Sequence, residues 1–383
     1  MNILWINKIT DREYWRTTQL ELSKSLRKRG NKVTLIMARN FGEKKTMEKD
    51  DIIYLPTLSH FLLSGLFFGL ALVFYLFLVI HKEKIDVIII DGTSVWLPFV
   101  LPLKLFNIPL VLDVRDLPVE KNSSLFFSIS LHIGRYFVDE LTTITPELEE
   151  ILRKRYHLSD KKIGIWPSGV SMERFGYSNQ PLNTKGLNKF TLLYHGSYGK
   201  GRGIENLILA IGKLKKEVRE KVRLLLVGIP VEDQGRFLRL CERVGVKKHV
   251  EILPVVEHEK IPYYIHLSDV GVIPLPPDKV WWRVSVPLKT LEYLAMGKPV
   301  IATSIPFHRR LFEKGECGVI IDTNSPEALA DAITYLYRNK EKLRVMGKTG
   351  REIVEKNYTW DDAAFKLEGF LKRVLYGDHS ENR

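Results

Sequence analysis

The stretch LLYHGSYGKGRGIENLILAI, Leu192 to Ile211, carries the pattern that decides the fold. A short apolar strand leads into a glycine-rich turn, and an amphipathic helix, predicted at 204–218, follows. Apolar strand-like runs alternate with helical segments along most of the chain, from ILWIN at 3–7 to GVIID at 318–322. Such alternation is typical of parallel βαβ units. The sequence therefore predicts an α/β protein built on parallel sheets.

The length of the chain predicts two domains. Its 383 residues exceed the size at which a single hydrophobic core usually stops growing. The segment SMERFGYSNQPLNTKGLN, at 171–188, is polar, rich in Gly, Pro and Asn, and without hydrophobic period. We therefore place a first domain at 1–175, a linker at 176–188 and a second domain at 189–357.

The composition of the chain limits the kinds of partner that it can bind. A net charge of +13 predicts an anionic partner, for which nucleic acid, acidic lipid and phosphorylated small molecules qualify. No nucleic-acid partner is expected, because the chain has no recognition-helix, zinc-finger or aromatic RNA-platform signature. The two cysteines and the scattered histidines lack metal-ligand spacing. Low cysteine usage also suits a reducing cytoplasm.

The run FLLSGLFFGLALVFYLFLVI, Phe61 to Ile80, has twenty residues without a charge, which meets the length rule for spanning a bilayer. A span between the third and fourth strands would, however, place parts of one sheet on opposite sides of a membrane. Three alternatives remain: a hairpin that enters the membrane, a helix that lies in the membrane interface, or a helix buried against the sheet. We expect peripheral contact through residues 58–80 and the basic N-terminal surface, at the inner face of the membrane.

The glycine-rich turn predicts an anion site. Its glycines let the backbone approach a ligand closely, and the amides that open the following helix attract negative charge. Lys200 and Arg202 add cationic charge there. The alternative is a flexible loop with solvated charges, because the spacing matches neither a Walker loop nor the dinucleotide fingerprint. The glycines concerned are Gly196, Gly199, Gly201 and Gly203.

A carboxylate in the segment LKTLEYLAMG is the second candidate. Leu288, Leu291 and Ala295 share one face of a predicted helix that packs on the sheet. Glu292 on this helix suits bidentate acceptance from the vicinal hydroxyls of a ribose, as acidic residues do in dinucleotide-binding folds. The alternative is a solvated surface glutamate.

Four motifs, taken together and in order, resemble one family. The chain is similar to family 4 glycosyltransferases of the GT-B type. The resemblance implies two Rossmann-like domains with a deep interdomain cleft, and a C-terminal helix, 358–383, that crosses back to the N-terminal domain. The motifs are IWPSGVSMERF, HGSYGKGRGIENLILAI, PLKTLEYLAMGKPVIATSIPFHRRLFEKGECGVII and YTWDDAAFKLEGFL.

The resemblance also implies roles for individual residues. Arg202 and Lys200 would hold the diphosphate of a nucleotide-sugar donor, and Glu292 would bind its ribose. Lys289 is a further candidate for the phosphates. The other donor-binding positions implied are Gly196, Ser197, Gly199, Val286, Pro287 and Leu288.

The chain departs from the family pattern at three places. The acidic residue expected eight positions before Glu292 is Val284, so we expect Trp281, Trp282 and Arg283 as contacts of the sugar or the acceptor. Ser197 stands where an arginine often follows the strand glycine. The glycine pair usual after the first strand is replaced by KITDREYW, which makes Arg12 a candidate contact.

In the first domain, VLDVRDLPVEKN resembles a branch of the family that acts on lipid-linked acceptors. Arg115 and Asp116 would then be catalytic residues at the carboxyl end of a strand, facing the cleft. The alternative is a capped turn in which Asp116 opens the next helix and pairs with Arg115. Asp91 occupies the equivalent place one strand earlier and is a weaker candidate.

The resemblance implies a retaining hexosyltransferase that uses a nucleotide diphosphate sugar and acts on a lipid-linked or membrane-proximal glycan, in glycolipid or polysaccharide biosynthesis. No cofactor is expected, and the reaction is expected to be metal-independent. Because the acid at position 284 is missing, a non-catalytic GT-B scaffold or nucleotide-binding protein stays an alternative. A sugar-nucleotide epimerase of similar fold is another.

Overall fold

A computed structural model of the chain describes residues 1–10, 17–40, 51–58, 61–80, 83–92, 107–118, 121–176, 189–199 and 201–377. Contacts divide the chain into two compact units. The first unit comprises 1–169, 284–286 and 360–383, and the second comprises 170–283 and 287–359.

The first unit contains a parallel sheet of seven strands in the order β3-β2-β1-β4-β5-β6-β7. The central strands are mostly apolar, because helices cover both faces of such a sheet. Trp5 of the first strand is fully buried and packs edge-on against Trp166 at 6.0 Å between ring centroids. The strands are β1 (Asn2–Thr10), β2 (Lys32–Asn40), β3 (Ile52–Thr57), β4 (Val87–Asp91), β5 (Leu110–Val114), β6 (Glu140–Thr143) and β7 (Ile163–Ile165).

The helices of this unit fall on the two faces of the sheet. Right-handed crossovers place the helix between β1 and β2 on one face and the helices that follow β3, β5 and β6 on the other. The helices are α1 (Thr17–Lys28), α2 (Phe61–Ile80), α3 (Lys121–Phe137) and α4 (Pro146–Tyr156). Thr145 caps α4 by accepting a hydrogen bond from the Leu148 amide.

The last helix of the chain, α14 (Trp360–Tyr376), returns to this first unit, which confirms the predicted crossing. It packs against α1. The carboxylate of Glu368 lies 2.5 Å from Nε of Arg29 and accepts a longer hydrogen bond from Asn31, at 3.4 Å. This ion pair, buried only on the glutamate side, joins residues more than three hundred positions apart in sequence.

The apolar run forms α2, and the strands on either side of it, β3 and β4, belong to one sheet. Phe68, Leu72 and Leu76 of α2 are buried. Other large apolar residues of the helix are exposed, namely Leu66, Phe67, Leu70, Phe74, Phe77 and Leu78. Among the residues whose side chains the structure describes, no helix is long and apolar enough to cross a membrane.

The second unit contains a parallel sheet of six strands in the order β10-β9-β8-β11-β12-β13. The order reverses between β8 and β11, and open parallel sheets bind ligands beyond the carboxyl ends of the strands at such a point. The strands are β8 (Phe190–His195), β9 (Val222–Val227), β10 (Val250–Leu253), β11 (Val270–Ile273), β12 (Val300–Thr303) and β13 (Gly318–Ile321).

Helices connect these strands and bury one core, formed largely by β8, β9, α5 and α12. The predicted helix at 204–218 is wrong in its length, because Leu214 is extended and a short helix follows. The helices are α5 (Ile204–Lys213), α6 (Lys216–Arg219), α7 (Val231–Arg243), α8 (Ile261–His266), α9 (Val280–Arg283), α10 (Leu288–Ala295), α11 (Pro306–Phe312), α12 (Pro326–Arg338) and α13 (Lys340–Asn357).

Candidate active site

The carboxyl ends of β8 and β9 are closed by two glycines in backbone contact. Gly196 follows β8 with φ 98°, and its amide donates to the Val227 carbonyl at 2.9 Å. Gly228 follows β9 with φ 106°, and a Cβ there would lie 2.8 Å from the Gly196 carbonyl oxygen. Only glycine fits this crossing. The strand ends therefore present bare backbone to whatever lies beyond them.

A third close approach fixes the start of α5. Gly203, the N-cap of that helix, has φ 78°, and a Cβ on it would stand 1.9 Å from the carbonyl oxygen of Pro274, just past β11. The amide of Asn324 donates to the same oxygen at 3.3 Å. The N-terminus of α5, whose first amides have no partner within the helix, is thereby held at the end of β11, where an anion is favoured.

Arg202 is held in the glycine-rich turn by aromatic neighbours. Its guanidinium lies 4.9 Å from the ring of Trp282, and the indole Nε1 of Trp282 donates to the Gly201 carbonyl at 2.7 Å. Arg202 also bonds to the hydroxyl of Tyr194, which itself donates to the Ser197 carbonyl at 2.6 Å. The planar cation is thus oriented before any ligand arrives.

Lys289 brings a second cation to the same turn. Its ammonium nitrogen lies 3.9 Å from the centroid of the Tyr194 ring and 3.6 Å from where a Cβ on Gly196 would stand. Nζ is out of contact with solvent and has no hydrogen-bond partner among the described residues. Burial, and then the charge of Arg202, hold the pKa of Lys289 well below its usual range. A buried amine without an acceptor is costly, and an anionic ligand would supply the acceptor.

Glu292 lies one helical turn further along α10 and is 6% exposed. Its Oε1 accepts from Nε2 of His258 at 2.9 Å, and its Oε2 lies 3.3 Å from Nε2 of His195. Burial alone would raise the pKa of Glu292, but the hydrogen bond from His258 and the nearby His195 and Lys289 outweigh it and lower the pKa. Glu292 is therefore a fixed carboxylate and not a solvated surface group.

The tautomer of His258 follows from its partners. Nη1 of Arg174 lies 2.8 Å from Nδ1 of His258, and a guanidinium can only donate. Nδ1 therefore accepts, and the proton of the neutral ring sits on Nε2, where it is donated to Glu292. Arg174, His258 and Glu292 form a directed chain of hydrogen bonds. His195 closes the other side, and burial lowers its pKa to about 4, so its ring is neutral at physiological pH.

The other predicted donor positions lie in the turn after β8 and just before or at the start of α10. Ser197 and Gly199 are exposed in the turn, and Pro287 is the N-cap of α10, of which Leu288 is the first residue. Val286 is buried, and its contacts assign it to the first unit. Lys200 lies outside the described residues.

The segment that carries Trp281, Trp282 and Arg283 forms the short helix α9. Trp281 approaches Gly201, where a Cβ would stand 4.0 Å from its ring, and Trp282 supports Arg202. Arg283 ends the helix and is exposed. Arg12, the remaining predicted contact, lies outside the described residues.

The first unit collects its predicted residues at the carboxyl ends of β4 and β5. Arg115 stacks on Trp166, with 3.5 Å from guanidinium to ring centroid, and donates to the Trp166 carbonyl at 2.9 Å and to Oγ of Ser168 at 3.2 Å. Asp116, the next residue, is exposed to solvent.

A third carboxyl in this group, Asp113, was not predicted. It is 2% exposed, lies opposite Asp91 in register and accepts from Oγ1 of Thr142 at 2.8 Å. Burial raises the pKa of Asp113 to about 7, against the opposing charge of Arg115. A carboxyl that titrates near neutrality can hold or release a proton at working pH. The signal in the sequence was a single charge inside the apolar strand PLVLDV.

The residues that orient Glu292 were also missed. Arg174 and His258 are separated by 84 positions, and only the fold brings their side chains together. His195 had a local signal, since it is the last residue of β8, directly before the glycine-rich turn. Among the described residues, no group of three or more His, Cys, Asp or Glu side chains forms a site for a metal ion.

Two glycosyltransferase family models match the chain, one in each half. A model described as "Glycosyltransferase Family 4" matches residues 17–174, and one described as "Glycosyl transferases group 1" matches 179–353. A glycosyltransferase of Methanocaldococcus jannaschii without assigned function is 22% identical over 62% of this chain and 59% of its own length. A GDP-mannose-dependent phosphatidylinositol monomannoside mannosyltransferase of Mycobacterium tuberculosis is 27% identical over 45% of this chain and 44% of its own length.

These matches span only about half the length of the relatives. The fold itself is matched over nearly the whole chain. The solved sucrose-phosphate synthase of Thermosynechococcus elongatus superposes with a TM-score of 0.79 at 18% identity, over 98% of this chain and 99% of that one.

Proposed function

Because the chain belongs to glycosyltransferase family 4, we propose that it transfers a hexose from a nucleotide diphosphate sugar to a hydroxyl of a lipid-linked or membrane-proximal glycan, with retention of configuration. One observation carries the donor half of this proposal. Arg202, Lys289 and the N-terminus of α5 surround the turn after β8, and Glu292 is fixed nearby as an unprotonated acceptor.

In this reaction the site must stabilise the nucleoside diphosphate as it leaves. Negative charge grows on the diphosphate as its bond to the anomeric carbon breaks, and preorganised cations stabilise that charge most where water is excluded. Arg202 suits two phosphate oxygens at once, and the Lys289 amine suits a single one. Glu292 would hold the ribose hydroxyls and so set the position of the leaving group.

Neither cation needs a metal ion beside it, so we propose that the reaction is metal-independent. We assign no protein nucleophile, and retention then requires attack from the face that the diphosphate leaves. Proton nuclear magnetic resonance of the product reports its anomeric configuration. Turnover that survives a chelator supports the metal-independent reaction, and turnover restored only by added Mg²⁺ or Mn²⁺ contradicts it.

The exposed side of α2 supports the membrane-proximal acceptor. Its large apolar residues recur along one side of the helix, and Phe74 is 71% exposed. Such a side inserts its residues between lipid headgroups, and the net charge of +13 favours an anionic membrane. We therefore propose that α2 lies on the cytoplasmic face of a membrane and holds the enzyme near lipid-linked acceptors.

A thermal-shift panel of uridine, guanosine and adenosine diphosphate sugars tests the donor, since the ligand that stabilises the chain identifies the base and the sugar. Arg202→Ala should then lower turnover with that donor about 100- to 1,000-fold, the usual effect of removing one stabilising group of this kind. Arg236→Ala is the matched control, because Arg236 also stacks on a ring in this unit, that of Phe237.

Equal rates for Arg202→Ala and the control would refute the assignment. Donor binding without transfer or hydrolysis would favour the scaffold alternative. Conversion of the donor without an acceptor would favour an epimerase.

A further inference from the structure

A pocket of about 440 Å³ opens between α3 and α4 in the first unit. The ring of Phe127 packs edge-on against Tyr156, 5.6 Å between centroids, and this contact joins the two helices beside the opening. The residues that line the pocket are Ser128, Ile129, His132, Arg135, Arg155, Tyr156 and His157. Two arginines, two imidazoles, two hydroxyls and no carboxylate make a lining suited to an anion with several oxygens.

Among the described residues, no carboxylate neutralises the two arginines of this lining. Within the part of the chain that the structure describes, neither Arg135 nor Arg155 has an ion pair with an acidic residue. Arg135 contacts the ring and hydroxyl of Tyr136, and Arg155 lies 5.6 Å from the ring of Tyr156. The preceding basic residues of α4 differ, since Arg153 and Lys154 pair with Glu149 and Glu150.

The pocket lies at the end of the first sheet opposite to the carboxyl cluster of Asp113 and Arg115. A helix that connects parallel strands runs back against them, so its C-terminal end lies at the amino ends of the strands. Arg135 is in the last turn of α3, and Arg155 and His157 are at the end of α4. Asp113 and Arg115 stand at the opposite edge of the same sheet. The lining residues therefore belong neither to the donor site nor to that carboxyl cluster.

The helix α3, which lines one side of the pocket, carries exposed apolar residues. Leu125, Ile129 and Tyr136 recur along one side of α3, with Leu125 61% and Tyr136 63% exposed. The crossover rule places α3 on the same face of the sheet as α2, whose apolar side is exposed too. Large apolar residues beside unpaired arginines and tyrosines suit the boundary between headgroups and acyl chains of a bilayer.

We propose that the pocket between α3 and α4 binds the phosphate of an anionic phospholipid headgroup while Leu125, Ile129 and Tyr136 contact the acyl region. This site goes beyond the proposed function, because it needs neither a sugar donor nor glycosyl transfer. It would set the orientation of the first unit on the membrane, with the layer of α2, α3 and α4 facing the lipid.

The test is sedimentation of the full chain with vesicles of phosphatidylcholine alone or mixed with phosphatidylglycerol. The double variant Arg135→Gln/Arg155→Gln should lower partitioning onto the anionic vesicles about 5- to 30-fold, the factor for one or two cationic side chains at such a surface. Lys215→Gln/Lys216→Gln removes the same charge from exposed positions of the second unit and should change partitioning far less.

Equal losses in the two double variants would mean that only overall charge matters, and would overturn the pocket. An absence of preference for anionic vesicles in the parent protein would overturn it as well. Inorganic phosphate tests the other source of the ligand: if it raises the melting temperature through Arg135 and Arg155 while vesicles do not bind, the site takes free phosphate and the lipid assignment is wrong. The thermal shift with the sugar nucleotide should be the same in both double variants, so a failed donor assignment leaves this test readable.

Discussion

Replacement of Lys289 by methionine should stabilise the empty protein and weaken donor binding at the same time. Methionine is unbranched and only one atom shorter, but it removes a buried amine that has no acceptor among the described residues. A buried polar group without a partner costs about 1–3 kcal/mol. Removal of that cost should raise the melting temperature by roughly 2–12 °C, for a domain of the size of the second unit.

The loss of donor affinity has a different origin. If the amine meets a phosphate oxygen of the donor, Lys289→Met removes a hydrogen bond between charged groups, worth about 1.5–3 kcal/mol. The dissociation constant of the donor should then rise roughly 10- to 150-fold. Scanning fluorimetry measures the first effect, and titration calorimetry with the donor found in the nucleotide-sugar panel measures the second.

The pH dependence supplies an independent readout. The pKa of Lys289 is lowered in the folded protein, whereas the unfolded chain has the ordinary value near 10.4. Between these values the unfolded state binds more protons, so this residue makes stability rise with pH over that range. Lys289→Met should remove that slope. A phosphate oxygen beside Nζ would raise the pKa of Lys289 again, so donor binding should be coupled to proton uptake at pH values between the two pKa values. Calorimetry in buffers of different ionisation enthalpy detects that uptake.

Lys298→Met is the matched control. The pKa of Lys298 is likewise lowered by burial, but its Nζ donates to the His266 carbonyl at 3.0 Å. Its replacement should lower the melting temperature, because that carbonyl loses its partner, and should leave donor affinity unchanged. The reasoning is refuted if Lys289→Met destabilises the protein like the control, or if the donor binds it as tightly as the parent.

Three further predictions concern other parts of the two units. Gly203→Ala should lower the free energy of unfolding by at least about 1–2 kcal/mol through its left-handed backbone alone. Gly199→Ala, with open space around it, should leave the melting temperature unchanged. Equal effects of the two variants would contradict the packing of Gly203 against Pro274. His258→Leu removes a hydrogen bond to a carboxylate worth about 1.5–3 kcal/mol, so the melting temperature should fall. Donor affinity should fall with it at acid pH. An unaltered pH profile of donor binding would count against the relay to Glu292. The pKa of Asp113 is raised to about 7, so the folded state binds a proton that the unfolded state has lost, and stability should fall as pH rises from about 4 to about 7. Asp113→Asn should flatten this slope in melting curves. A slope that persists in the variant would belong to another group.

The architecture was readable from the sequence because its causes are local. Alternating apolar strands and amphipathic helices admit few arrangements other than parallel sheets, and the long apolar run between β3 and β4 could not divide a sheet between two sides of a membrane. The return of α14 to the first unit came from the resemblance of YTWDDAAFKLEGFL and not from any local pattern. Where a prediction depended on one residue it was less secure: Leu214 is extended and divides the helix predicted at 204–218.

The candidate site was also predictable only in part from the sequence. The glycine-rich turn, Arg202 and the helix that carries Lys289 and Glu292 were recognised from the sequence, since each lies in a segment with its own pattern. Only the tertiary structure decided the state of these groups. The low pKa of Glu292 depends on His258, and the low pKa of Lys289 depends on burial beneath the turn after β8. Burial and distance between charges set a protonation state, and both quantities exist only once separate segments of the chain have packed together.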